Sequence, residues 1–85
     1  MKTIQYTITD ADGLHARPAG LLVNLAKALD SEITITCGEK NANAKKLFAV
    51  MALHVKEGDT IEIAASGKNE EQDIKAIGDF CRENL

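Results

Sequence analysis

Three stretches of this chain alternate apolar and polar residues with a period of two, and each has a single apolar side. The first runs through Ile4, Tyr6 and Ile8 with Thr3, Gln5, Thr7 and Thr9 between and beside them. The second sets Ile33, Ile35 and Cys37 against Glu32, Thr34 and Thr36, and the third carries Ile61, Ile63 and Ala65 on one face. Successive side chains of a strand point to opposite faces, so these are half-buried strands. A sheet built from them is covered on one side only, which favours antiparallel pairing.

Between the strands the period changes. Leu22, Leu25, Ala26 and Leu29 recur at i, i+3, i+4 and i+7, one face of a helix. Pro18 suits only the first turn of that helix, where its missing N–H lacks a partner anyway. The helix is therefore predicted from His15 or Ala16 to about Asp30-Ser31. Gly38-Glu39-Lys40 reads as a hairpin turn into a short strand through Ala42 and Ala44. Leu47, Val50 and Met51 predict a short second helix within Lys46 to Leu53. A last helix points Ile74, Ile77 and Cys81 inward and Glu71, Lys75 and Arg82 outward, and Asn69 with Gln72 reads as its capping box. The order β-α-β-β-α-β-α predicts an α+β, open-faced two-layer β-sandwich, a four-stranded antiparallel sheet with three helices on one face.

At 85 residues the chain is predicted to be one domain spanning 1–85. A chain of this size buries about 60–65% of its unfolded surface, enough for one core but not for a deep nucleotide cleft. The charge is mixed and 45% of residues are hydrophobic, which counts against disorder. A net charge of −3, from 10 basic and 13 acidic residues, counts against nucleic-acid binding. The first residues lack the apolar stretch of a signal peptide, and no apolar run is long enough to span a membrane. Cys37 and Cys81 are too few and too far apart for a disulfide framework or a four-ligand zinc site. Both fall on inward faces, as does Tyr6, and all three are read as core. The expected setting is cytoplasmic, with no metal and no cofactor.

Chemistry concentrates in Gly13-Leu14-His15-Ala16-Arg17-Pro18-Ala19. The segment puts a histidine at a helix start, a proline fixing the entry, and an arginine in the first turn. Unpaired N–H groups at that end, at Ala16 and Arg17, together with the helix dipole, favour an anion. The same positive end disfavours the imidazolium, leaving a neutral ring that is already nucleophilic. Arg17 is close enough to pair with the oxygens of a phosphoryl group on the ring.

Gly-Leu-His-Ala-Arg-Pro-Ala at this position, in a chain of this length and element order, resembles the HPr family. Those proteins are the histidine-containing phosphocarriers of the bacterial phosphoenolpyruvate-dependent sugar phosphotransferase system, and the resemblance covers essentially the whole chain. It implies that His15 takes a phosphoryl group on Nδ1 from phosphorylated enzyme I and passes it to an enzyme IIA domain, with Arg17 assisting. The absence of a G-x-x-x-x-G-K-[ST] loop and of a carboxylate-rich metal cluster fits a carrier rather than a kinase, a phosphoryl-transfer intermediate more than a free-standing enzyme, and a monomer is expected.

The resemblance also implies a docking face for both partners made of Gly20, Lys27, Lys46, Leu47, Phe48 and Met51. The spacing of Leu47, Val50 and Met51 equally fits a stripe that faces the core. A divided helix is expected, with Val50 buried, Phe48 off the stripe and Leu47 and Met51 at the border. Lys27, Lys45 and Lys46 would ring the patch. Lys46 stands where many relatives carry a regulatory serine, so phosphorylation by that route is not expected. His54 stands where glycine is usual after the short helix, and a left-handed backbone is expected there. Three other functions compete with the sugar-linked carrier. One is a nitrogen-linked or regulatory relay using the same His15. Another is a metabolite or RNA-binding module, disfavoured by 4% aromatic content. The third is a histidine hydrolase, for which only Asp10 and Asp12 offer an acid or base near His15.

Overall fold

The alternating segments become strands β1 (Lys2–Thr7), β2 (Glu32–Cys37), β3 (Lys40–Asn43) and β4 (Thr60–Ser66) of the computed structural model, which describes residues 1–85. The strands pair antiparallel in the order β1-β4-β2-β3. Register lines the inward residues into a row across the sheet, Ile4 opposite Ile63, Ile63 opposite Ile35, and Ile35 opposite Ala42. One position on, Thr3, Ala64, Thr34 and Asn43 form the matching row on the other face. A shift of one residue would exchange the two rows, so burial of the isoleucines fixes the register. The first strand ends one residue before Ile8, yet Ile8 is among the most buried side chains. Tyr6, expected in the core, is only half-buried because β1 is an edge strand with nothing beyond it.

Three helices cover the inward face: α1 (Ala16–Ala28), α2 (Leu47–Met51) and α3 (Glu70–Asn84). The expected α+β open-faced sandwich is the fold observed. Helix α3 lies against β1 and β4, α2 against β3, and α1 packs on both other helices. Leu22, Val23 and Ala26 of α1, Val50 of α2 and Ile77 and Cys81 of α3 meet Ile33, Ile35, Ile61 and Ile63 in one core. Burial pushes the Cys81 thiol up to about 11, against a smaller opposing pull from Arg82. Cys37 is half-buried, and both thiols are free.

Both shorter boundaries have local causes. Helix α1 stops at Ala28 rather than near Ser31 because Leu29 turns to extended backbone (φ −96°, ψ 147°). There the Lys45 ammonium donates to the Leu29 carbonyl at 3.1 Å, a cation on the negative end of a helix. Helix α2 spans five residues, and His54 beyond it has φ +52°, the left-handed conformation expected. That twist buries Leu53 and Val55 while His54 faces solvent.

The expected capping box of α3 is not formed. Asn69 occupies the N-cap position but makes no side-chain cap; its amide reaches Asp30 instead, at 3.0 Å. The carboxylate that turns back is Glu70, which accepts the Gly67 N–H at 3.3 Å. Asp73 accepts the buried Ser31 N–H at 3.0 Å and ties the end of α1 to the start of α3. Sequence spacing identified the helix start; Asp30 drew Asn69 away from the local role. No helix is long and apolar enough to cross a membrane.

Candidate functional site

The loop between β1 and α1 is held from both sides. Gly13 has φ +65°, and a Cβ there would lie 2.4 Å from the Val55 carbonyl oxygen and 2.8 Å from Lys56 Cα. Any side chain would be both strained and in collision with backbone, so glycine is required. The Leu14 N–H donates to Val55 O at 3.1 Å, and Leu14 is buried. The segment after α2 therefore positions the loop that carries His15.

His15 is the N-cap residue of α1, with extended backbone (φ −82°, ψ −177°), and its side chain makes no cap hydrogen bond. Its carbonyl accepts the Ala19 N–H at 2.9 Å. The imidazole is half-exposed and uncommitted to the helix. Ala16 and Arg17 supply the first N–H groups of α1, which have no intrahelical acceptor, and the first turn holds no acidic residue. Arg17 is exposed and forms no ion pair within the chain. Pro18 is buried within the first turn, as expected. His15, Ala16 and Arg17 thus stand together at a positive helix end open to solvent.

Asp10 also reaches this place. Its Oδ2 is 4.0 Å from His15 Nε2, while its Oδ1 accepts the Asp12 N–H at 2.9 Å. The sequence marked Asp10 and Asp12 only as nearby acids; the turn that Gly13 closes folds Asp10 back toward the ring.

The second helix is divided as expected: Val50 is buried, Leu47 half-buried and Phe48 85% exposed. Met51 is 36% exposed, so it belongs to the surface side of the border. The sequence missed Leu21 of α1, 46% exposed and off the Leu22–Leu25 stripe. Because α1 and α2 pack together, these apolar residues belong to neighbouring helices. Gly20 is half-exposed on α1, and nothing lies within 4 Å of where its Cβ would stand, so the helix surface there is open. Lys27 and Lys46 are exposed. Lys45 is half-buried and bonded to the end of α1, which removes it from the free charges expected around the patch.

Residues 2–83 match the family described as "PTS HPr component phosphorylation site". The chain is similar to the phosphocarrier protein HPr of Haemophilus influenzae, 44% identical over 70 residues, covering 82% of each chain. Its likeness to HPr of Lysinibacillus sphaericus is 39% over 83 residues, 98% of this chain and 94% of that one. It is also 44% identical over 84 residues to the multiphosphoryl transfer protein of Salmonella typhimurium, of whose length it spans 22%. Among solved structures, the histidine-containing phosphocarrier of a Mycoplasma superposes with a TM-score of 0.93 at 40% identity, covering 96% of this chain and 93% of that one. The helix-end histidine, the glycine-closed loop beneath it and a match spanning nearly the whole fold make this chain a member of the PTS HPr family.

Proposed function

We propose that this protein is a monomeric, cytoplasmic phosphoryl carrier that accepts phosphate on His15 from phosphorylated enzyme I and donates it to enzyme IIA domains of sugar permeases. The observation that carries it is His15 at the N-terminus of α1, whose first turn holds no acid, beside an unpaired Arg17, in a chain of the PTS HPr family. The Nδ1 lone pair attacks the donor phosphorus; an N–P bond forms as the donor's own N–P bond breaks and its electron pair returns to the donor. The phosphoryl oxygens are met by the helix dipole, the N–H groups of Ala16 and Arg17, and the Arg17 guanidinium. No nucleotide is consumed, because the donor's phosphohistidine supplies the transfer energy.

The exposed apolar side chains Phe48, Met51 and Leu21, with half-buried Leu47, the open Gly20 position and the cations Lys27 and Lys46, form the docking face. A small apolar patch with a charged rim suits brief encounters with several partners. Lys46 carries no hydroxyl, so the serine-kinase route that acts on some relatives is closed at this position.

The test combines the protein with phosphoenolpyruvate and enzyme I. One acid-labile phosphoryl group should appear by mass and be absent from His15→Ala; equal labelling of that variant would exclude His15. In the same assay Phe48→Ala should slow transfer severalfold and leave the melting temperature unchanged. A large drop in melting temperature would place Phe48 in the core.

A further inference from the structure

Asp10 is held at three points, more than a solvated surface acid requires. Its N–H donates to Leu85 O at 2.9 Å, its carbonyl accepts the Gly13 N–H at 3.0 Å, and its Oδ1 accepts the Asp12 N–H at 2.9 Å. Only Oδ2 is left over, and it stands 4.0 Å from Nε2 of His15. That distance exceeds a direct hydrogen bond but lies within reach of charge, or of one bridging water. The imidazole has no cap bond to compete with it.

We propose that Asp10 is a positioning residue for phosphoryl transfer: its fixed carboxylate keeps the proton on Nε2, leaves the Nδ1 lone pair free, and stabilises the positive ring formed when Nδ1 takes the phosphoryl group. The inference rests on His15 being the acceptor. A negative charge beside Nε2 favours an N–H dipole there over a lone pair, so the ring adopts the tautomer whose nucleophile is Nδ1. When the Nδ1–P bond forms, the Nε2 proton stays and the ring becomes cationic. When the phosphoryl group leaves for an acceptor, the bonding pair returns to Nδ1 and the ring is neutral again. Asp10 faces the nitrogen that keeps its proton throughout. The exposed carboxylate of Asp12 has an oxygen within 4.8 Å of both Asp10 and His15, but solvent screens it more strongly.

Asp10→Asn isolates the charge, because the amide oxygen still accepts the Asp12 N–H and preserves the turn. Three readouts apply: ring 15N shifts of unphosphorylated His15, the rate of phosphorylation by enzyme I, and the lifetime of the phosphohistidine at one neutral pH. In the parent the Nε2–H tautomer should dominate, and in Asp10→Asn the Nδ1–H share should rise. Phosphorylation should slow about tenfold. The phosphohistidine should live severalfold longer, because a ring with a less firmly held Nε2 proton is a poorer leaving group. A damaged loop would slow acceptance without lengthening that lifetime. Asp12→Asn should produce smaller changes. Unchanged 15N shifts in Asp10→Asn, or equal effects from Asp12→Asn, overturn the inference. If the parent is not phosphorylated at His15 at all, the carrier function fails and the transfer role of Asp10 fails with it, whereas a phosphorylated parent with unchanged tautomers in Asp10→Asn overturns the role of Asp10 alone.

Discussion

The molecule has two long helices on one face of the sheet, and their N-termini are used in opposite ways. Helix α3 opens with Glu70, Glu71 and Asp73, so the positive end of its dipole is met by its own carboxylates. Glu70 accepts from Gly67 and pairs with the Met1 ammonium at 2.7 Å, and Asp73 accepts from Ser31. Helix α1 has no acid in its first turn and no side-chain cap. It forgoes that local stability and keeps its free N–H groups, with His15 and Arg17, open to an anion from outside. One terminus closes the fold; the other, in the function proposed above, is left for a partner's phosphate.

Substitutions can break this contrast or sharpen it. The largest effect is expected at the closed terminus. Asp73→Ala leaves the Ser31 N–H buried without an acceptor, which should lower unfolding free energy by about 1–3 kcal/mol with phosphorylation unaffected while the protein is folded. Denaturant unfolding checks the first part; a slowed transfer in the folded variant would mean the two ends are coupled.

At the open terminus the signs should diverge. Ala16→Asp gives α1 the acid that α3 already has, and should stabilise the fold by about 0.3–1 kcal/mol. The new carboxylate occupies the anion site, so transfer should fall about tenfold. A variant that is stabilised and still fully active would show that the α1 dipole does not serve the phosphate.

The smallest effect concerns Glu70. Its carboxyl is held below the ordinary value of 4.5, first by the hydrogen bond to the Met1 ammonium, then by the Gly67 N–H. A lowered folded value means a stabilisation that is complete above the unfolded value and lost as pH falls through the folded one. Glu70→Gln should therefore melt slightly below the parent at neutral pH, and the difference should vanish in acid. A gap that persists in strong acid would assign the effect to shape rather than charge.

The capping of these helices also marks where local sequence stops being sufficient. Asn69 followed by Gln72 has the spacing of a cap, and the helix does start there, yet Asp30 from the far end of α1 takes the Asn69 side chain. Lys45 reads from the sequence as a free cation beside the proposed docking face, but its ammonium donates a hydrogen bond to the Leu29 carbonyl at the end of α1. Phe48 was legible because it lies off the apolar stripe of its helix. Leu21 was hidden beside Leu22, since only the position of α2 decides which of two adjacent leucines stays wet.

By itself the sequence determined the element order, the side of each strand that enters the core, and the segment that bears His15. Side-chain direction along a strand or helix is set by backbone geometry, so a single chain encodes it locally. The strand order β1-β4-β2-β3, the contact of Gly13 with Val55 and the approach of Asp10 to His15 were decided only by the tertiary structure. Each joins residues that meet only after chain closure, where packing in the shared core and the backbone's need for hydrogen-bond partners select the neighbours.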